Sequence, residues 1–219
     1  MIKAVIFDMD GVLIDSEPLH YESDLMLLQK MNITVDKHYL DQFVGMTNPE
    51  MWKCISQQNE ITINIQKVLR KQLKIKIMLL KKFNYKAIDG VIDLLRNIRK
   101  KNIPIAVASS SSPLFIKRAL LQIKVKKYIK KMISGESVPK GKPEPDIFIE
   151  VAKLLQVNPS QCLVIEDSRN GVRAAKKAGM KVIGYQNINS GEQDLSEANL
   201  IVSDYANLDI NQILLEEFI

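Results

Sequence analysis

The sequence has few cysteines and no long hydrophobic run. Its 219 residues include two cysteines, Cys54 and Cys162, which lie far apart and outside any spacing typical of a metal site. This pattern fits reduced, buried thiols in a cytoplasmic protein. No apolar run approaches the length of a membrane span, and the first residues predict a strand rather than a secretory signal. We therefore expect a cytoplasmic protein that does not associate with membranes.

Aromatic residues are scarce where the positive charges are concentrated. The net charge is +6, and many of the cations fall in one stretch, at Lys67, Arg70, Lys71, Lys74, Lys76, Lys81, Lys82 and Lys86. Such a stretch raises the question of nucleic-acid binding. However, these residues alternate with Ile, Leu and Met at helical spacing, and no aromatic stacking residues separate them. We interpret the stretch as the solvated face of a helix and expect no nucleic-acid partner.

Hydrophobic periodicity predicts an α/β protein with a helical insertion. Hydrophobic residues make up 46% of the chain and charged residues 26%, which is ample for a globular core. Apolar residues three or four apart predict helices from residue 16 to about residue 82, with one clear interruption at 45–49. Strands are predicted at 2–7, 103–108, 132–134, 162–165, 181–185 and 200–202, and helices at 90–101, 113–121, 146–155, 170–178 and from about 208. This alternation predicts a doubly wound parallel sheet, a Rossmann-like core formed by residues 1–15 and 87–219.

Two carboxylates, Asp8 and Asp10, follow the first predicted strand and precede Gly11. On an extended strand, residues two apart point to the same side, so the like charges of the two acids are held close together. That arrangement is costly unless a cation or a shared proton lies between them, which suggests a Mg²⁺ site with one acid free to react. Asp-Gly is also an ordinary turn signal, and this alternative stands for the pair taken alone.

Polar residues also appear where the other strands are predicted to end, as a ligand site of an open α/β sheet requires. Ser109 begins a run of four serines before Pro113, and a hydroxyl beside the free N–H groups of a helix start suits phosphate. Lys142 lies between a glycine and a proline just before a predicted helix, where it could neutralise a phosphoryl group and the carboxylate attacking it. A serine-rich turn and a solvated lysine are the structural alternatives.

Glu166 and Asp167 follow the predicted strand 162–165. Adjacent acids at this place would complete an oxygen-rich Mg²⁺ site with Asp8 and Asp10, although acids also cap helices. Each cluster has an ordinary structural explanation of its own. Four such clusters at the ends of predicted strands favour phosphoryl transfer.

The four clusters resemble, in order, the four motifs of the haloacid dehalogenase superfamily, and the match spans the whole chain. The matching segments are Phe7-Asp-Met-Asp-Gly11, Ala108-Ser109, Gly141-Lys142-Pro143 and Ile165-Glu-Asp-Ser168. The helical insertion, residues 16–86, is similar to the cap domain of the branch that contains β-phosphoglucomutase and small sugar-phosphate phosphatases. The resemblance implies that Asp8 is the nucleophile, that Asp10 is the general acid and base, and that Ser109 and Lys142 bind the phosphoryl group. It also implies that Mg²⁺ is held by Asp8, Asp167 and the Asp10 backbone carbonyl, with Glu166 assisting from the outer shell.

Candidate substrate-binding residues are Ser110, His20, Gly45 and Thr47. His20, at the predicted hinge into the cap, could steady Asp10 or the substrate, or could make only a structural hydrogen bond.

The loop at 44–49 bears on which reaction the enzyme catalyses. β-Phosphoglucomutase has a lysine before the glycine of this loop and an arginine three residues after it, whereas this sequence has Val44 and Asn48. A mutase must hold a second phosphate while its bisphosphate intermediate turns round. We therefore expect a Mg²⁺-dependent phosphatase of a small phosphorylated metabolite, such as a sugar phosphate, acting through an aspartyl-phosphate. β-Phosphoglucomutase is the alternative, a non-catalytic binding protein is less favoured, and a monomer is expected.

Overall fold

Six parallel strands form one sheet in the computed structural model, which describes residues 1–206 and 208–215. The strands are β1 (Ala4–Phe7), β2 (Ile105–Ser109), β3 (Lys131–Ser134), β4 (Cys162–Glu166), β5 (Lys181–Tyr185) and β6 (Leu200–Val202). Their order is β3-β2-β1-β4-β5-β6, so β1 pairs with β2 on one side and with β4 on the other. This order places the switch point of a doubly wound sheet at β1, and the predicted fold class is confirmed.

The described residues contain nine α-helices. They are α1 (Glu17–Gln29), α2 (Lys37–Asp41), α3 (Asn48–Gln58), α4 (Ile65–Lys82), α5 (Val91–Lys100), α6 (Pro113–Gln122), α7 (Asp146–Leu155), α8 (Arg169–Lys177) and α9 (Ile210–Leu215). The predicted last helix thus begins at Ile210, and its continuation over 216–219 lies outside the described residues. Among the residues described, no helix combines the length and the apolar character needed to cross a bilayer.

Both faces of the sheet are covered, which explains why β1 has no polar side chain. Val5 and Phe7 belong to one buried cluster, and Ala4 and Ile6 belong to another on the opposite face. The first cluster includes apolar residues of α5 and α6, and the second includes residues of α7 and α8. Strands buried on both sides are expected when helices connect parallel strands.

The insertion has a hydrophobic core of its own, formed by α1 to α4 around the fully buried Trp52. The prediction of nearly continuous helix across this region is wrong at two further places. Asn32, after α1, and Glu60, after α3, have φ values of 61° and 53°, and such left-handed residues end helices. Each break depends on the left-handed backbone of one residue, which the spacing of apolar residues in the flanking helices does not report. The exact boundaries of the two predicted domains stay a prediction.

The cations of the insertion are exposed with one exception. Seven of the eight residues predicted to form a solvated face are exposed, and most of these lie on α4. Lys76 is buried, at 4% exposure, so its assignment to the solvated face is wrong.

Candidate active site

The sheet brings the motif residues together at the carboxyl ends of its three central strands. Phe7, the last residue of β1, pairs with Val107 in β2 and with Ile165 in β4. Asp8 and Asp10 therefore lie between Ser109, at the end of β2, and the acids Glu166 and Asp167 at the end of β4. This is the crevice in which open α/β sheets bind ligands.

Lys142 lies in contact with two buried carboxylates. Its Nζ is 2.5 Å from Asp8 Oδ1, contacts Glu166 Oε1, and donates to the carbonyl oxygen of Ala108 at 3.3 Å. Burial alone would lower the pKa of Lys142, but the charges of Asp8 and Glu166 hold this pKa well above its ordinary value. Lys142 therefore lies beside Asp8 as a cation.

Asp8 and Asp167 are buried carboxylates with too little positive charge nearby to offset their burial. Burial raises the pKa of Asp8 well above its ordinary value, and Lys142 offsets this effect only in part. The pKa of Asp167 is raised by burial and by the neighbouring charges of Glu166 and Asp8. Asp167 also accepts a hydrogen bond from Ser190 Oγ. A divalent cation would stabilise the ionised forms of both acids.

The possible metal ligands around these two acids suit Mg²⁺ better than they suit a metal coordinated entirely by protein side chains. Within the described residues, no group of three or more His, Cys, Asp or Glu side chains is arranged to hold a metal ion. Mg²⁺ is commonly held by one or two carboxylates and keeps water and substrate oxygens as its other ligands. Two buried carboxylates, Asp8 and Asp167, with a backbone carbonyl such as that of Asp10, fit this requirement.

Asp10 accepts hydrogen bonds from four side chains. Ser16 Oγ and His20 Nε2 lie 2.6 and 2.8 Å from Oδ1, and Ser109 Oγ and Ser111 Oγ lie 3.0 and 2.8 Å from Oδ2. Burial would raise the pKa of Asp10, but His20 and the hydroxyl donors outweigh burial and hold this pKa well below its usual value. Asp10 is therefore ionised and fixed in orientation.

Two of these partners, His20 and Ser16, have a further structural feature. His20 lies against Asp10 and also in the wall of the cavity described below, so its role stays a prediction. Ser16 occupies the N-cap position of α1, but its side chain makes no cap hydrogen bond, because its hydroxyl donates to Asp10.

A cavity of about 350 Å³ lies between the insertion and the crevice. Asp8, Asp10 and Asp167 lie in its wall, as do the predicted substrate-binding residues His20, Gly45 and Ser110. Thr47, the fourth of these, is not among the described residues of the wall. It is buried, and its hydroxyl donates to Glu50 Oε2 at 2.6 Å. Its contact with substrate stays a prediction, as do the phosphoryl contacts of Ser109 and Lys142.

Four charged residues of the wall are not among the predicted site residues: Glu17, Asp24, Asp41 and Lys76. Lys76 Nζ donates to Asn48 Oδ1 at 2.8 Å, and Gln72 Nε2 donates to Asp24 Oδ1 at 2.6 Å. The sequence of α4 contains a signal for both contacts. Gln72 and Lys76 continue the four-residue spacing of the buried Val68 and Leu80. Polar residues on the apolar stripe of a helix mark a buried polar site.

The sequence model for haloacid dehalogenase-like hydrolases matches residues 5–185, and the chain belongs to this family. A phosphorylated carbohydrates phosphatase of Thermotoga maritima is 32% identical over 185 residues, which cover 83% of this chain and 84% of that protein. β-Phosphoglucomutase of Bacillus subtilis is 28% identical over 225 residues, covering 99% of this chain and 96% of that protein. A crystal structure of β-phosphoglucomutase from Clostridium difficile has a TM-score of 0.88 and 26% identity, covering 100% of this chain and 97% of its own. The expected enzyme class, a phosphohydrolase with phosphomutases among its relatives, is confirmed.

Proposed function

We propose that the protein is a Mg²⁺-dependent phosphatase that acts on a small phosphorylated metabolite, such as a sugar phosphate. The observation that carries this proposal is the contact of the Lys142 ammonium group with Asp8, 2.5 Å apart at the edge of the cavity. A carboxylate attacks an anionic phosphorus only when nearby positive charge screens the repulsion. The curated relatives named above are also a phosphatase and a mutase of phosphorylated sugars.

The reaction proceeds in two steps on Asp8. In the first step a carboxylate oxygen of Asp8 bonds to phosphorus while the bond from phosphorus to the leaving oxygen breaks. Asp10, which is ionised without substrate, takes a proton from water when the anionic phosphoryl group binds beside it and gives that proton to the leaving oxygen. In the second step water attacks the phosphorus and passes a proton to Asp10, which releases inorganic phosphate and restores Asp8. Ser16, His20, Ser109 and Ser111 keep Asp10 in place for both transfers.

Asp8 and Asp167, together with the Asp10 backbone carbonyl, would hold Mg²⁺. When bound, the ion supplies positive charge that screens the approach of a carboxylate to a phosphoryl group. Glu166 assists from outside this shell, since its carboxylate contacts Lys142 and accepts hydrogen bonds from Ser168. Ser109 and Lys142 would contact the phosphoryl oxygens.

The charges of the cavity wall favour a phosphatase over a mutase. Among the described residues of the wall, Lys76 is the one lysine, and it lies with the acids Glu17, Asp24 and Asp41. A second phosphate would meet more negative than positive charge there, whereas the hydroxyls of a neutral leaving group would find both donors and acceptors. β-Phosphoglucomutase remains the second candidate, because Lys76 brings one cation next to Asn48, where the mutase has an arginine.

Two assays separate these candidates. Release of inorganic phosphate is measured over a panel of phosphorylated metabolites, with and without Mg²⁺, and conversion of β-glucose 1-phosphate to glucose 6-phosphate is measured in a coupled assay. We expect Mg²⁺-dependent release and little conversion. Conversion without release would contradict the phosphatase. Phosphate release by Asp8→Asn at the wild-type rate would exclude the proposed chemistry, and no activity in either assay would favour a non-catalytic protein. The monomeric state and the cytoplasmic location stay predictions.

A further inference from the structure

One short segment of the insertion, residues 44–50, is hydrogen-bonded to the core beside three of the four motifs. Three of the bonds run from Ser110 Oγ to the Gly45 carbonyl at 2.7 Å, from Asn170 Nδ2 to the Val44 carbonyl at 3.4 Å, and from the Gly141 amide to Glu50 Oε1 at 3.3 Å. The third bond differs from the others because Gly141 directly precedes Lys142. It therefore connects the cap to the residue that contacts Asp8.

The approach of Glu50 explains why residue 141 is a glycine. A Cβ built on Gly141 would lie 2.4 Å from Glu50 Oε2 and 2.9 Å from Oε1, which is closer than real contacts allow. The backbone of Gly141 is not in the left-handed region, unlike that of Gly11 or Gly45. Backbone conformation alone would therefore permit an alanine at position 141, but its methyl group would displace the carboxylate of Glu50.

The carboxylate of Glu50 is held from the side of the cap as well. Its Oε2 accepts from Thr47 Oγ1 at 2.6 Å and from the Thr47 amide at 3.2 Å, which together form a capping box at the start of α3. The Glu50 side chain is thus oriented by its own helix. Its bond to Gly141 forms when this helix start lies against the core.

We propose that Glu50 is a positioning residue. Its carboxylate holds the Gly141 amide while the cap covers the site, and thereby fixes the loop that places Lys142 between Asp8 and Glu166. Glu50 touches no reacting atom in this scheme and acts through Lys142. The inference rests on the proposed function, because Lys142 is taken to bind the phosphoryl group there.

A double-mutant cycle on Glu50 and Gly141 tests the proposal, with p-nitrophenyl phosphate as the probe substrate. We expect Glu50→Ala and Gly141→Ala each to lower kcat about tenfold with a smaller change in KM, because misplacing a catalytic group lowers the rate of the chemical step. The double variant should be no slower than either single one, because without the Glu50 carboxylate the new methyl group has space. Additive losses would overturn the proposal.

A matched control separates this role from helix capping. Asn64 caps α4 in the same insertion, since its Oδ1 accepts from the Lys67 amide at 2.9 Å. Asn64→Ala therefore removes a helix cap without altering the contact with Gly141, and we expect it to keep the wild-type kcat. Trp52, the one tryptophan of the chain, lies buried in the cap core, so its fluorescence reports whether the cap of each variant is folded.

Hydrogen exchange gives a readout that does not depend on activity. The Gly141 amide is the donor of the bond, so it should exchange slowly in the wild type and in Asn64→Ala, and at least about tenfold faster in Glu50→Ala. Equal exchange in all three proteins would overturn the proposal even if every one were active. A wild type that releases no phosphate would instead contradict the proposed function, and the exchange of Gly141 would still decide whether Glu50 holds this loop.

Discussion

At the scale of single residues, the two aspartates of the first motif have opposite surroundings. Asp8 has one cationic partner, and burial raises its pKa, whereas Asp10 has four hydrogen-bond donors, and its pKa is held low. The sequence predicts that the two acids lie close together, because it fixes their spacing on a strand. It does not reveal their difference, because Ser109 and Ser111 reach Asp10 from the end of β2, far away along the chain. The nearer donors, Ser16 and His20, reach Asp10 only through the turn of the chain between β1 and α1. The family resemblance supplied separate roles for the two acids, and their different contacts support that division.

Replacement of Lys142 should destabilise the protein more than an ordinary surface change. Lys142→Met leaves Asp8 and Glu166 buried without their cation, and breaking a buried ion pair in this way costs about 3 to 5 kcal/mol. We expect the free energy of unfolding, measured in urea, to fall by about this amount and phosphate release to be lost. The double variant Lys142→Met with Glu166→Gln should recover part of the stability and none of the activity. Recovery of activity would contradict the role of Lys142.

Glu17 should make the stability of the protein dependent on pH. Burial raises its pKa from 4.5 to about 7, so the folded protein binds a proton that the unfolded chain has released. The contribution of Glu17 to the free energy of unfolding therefore falls as the pH rises from 4.5 to about 7, and this loss of stability is complete above that range. Glu17→Gln removes the penalty and should raise the free energy of unfolding by about 1 to 3 kcal/mol at about pH 8. The gain should vanish at about pH 4, and a gain independent of pH would contradict this explanation.

At the scale of elements, strands and helices with strong patterns are predicted well and the breaks between them poorly. β1 and β4 are short apolar runs whose ends coincide with the motif acids, so both their position and their chemistry could be read from the sequence. The breaks at Asn32 and Glu60 depend on single left-handed residues that periodicity does not detect. Contacts across the insertion, such as that of Lys76 with Asn48, depend on how α3 packs against α4 and have no local signal beyond a polar residue on an apolar stripe.

The first turn of α8 packs closely against a motif residue, Glu166. A Cβ on Gly171 would lie 1.9 Å from Glu166 Oε1, so Gly171→Ala should displace the carboxylate that contacts Lys142. Although alanine ordinarily favours a helix, we expect a loss of about 1 to 3 kcal/mol in the free energy of unfolding together with reduced phosphate release.

Gly179 provides the control for this prediction. It follows α8 with a φ of 75°, and nothing lies within 4 Å of a built Cβ. Gly179→Ala should therefore cost about 1 kcal/mol through backbone strain alone and leave phosphate release unchanged. If Gly171→Ala were as stable and as active as the wild type, the close packing inferred around Glu166 would be wrong.

At the scale of the whole molecule, the sheet and the insertion contribute different parts of the site. The sheet fixes Asp8, Asp10, Ser109 and Asp167 through the ends of its central strands, and this arrangement follows from the order of strands and helices in the sequence. The insertion supplies the opposite wall of the cavity, and its position on the core follows from contacts such as that of Glu50 with Gly141. Such contacts join residues that are distant in sequence, so they could not be predicted from it.

The central claim is that Asp8 is the nucleophile, and mass spectrometry of the enzyme quenched during turnover tests it most directly. Asp10→Asn should slow the loss of the phosphoryl group, because no base is left to take the proton from water. We therefore predict a phosphoryl adduct on the peptide that contains Asp8, more abundant in Asp10→Asn than in the wild type and absent in Asp8→Asn. Turnover by the wild type with no adduct on Asp8 in either protein, or an adduct that persists in Asp8→Asn, would contradict the account.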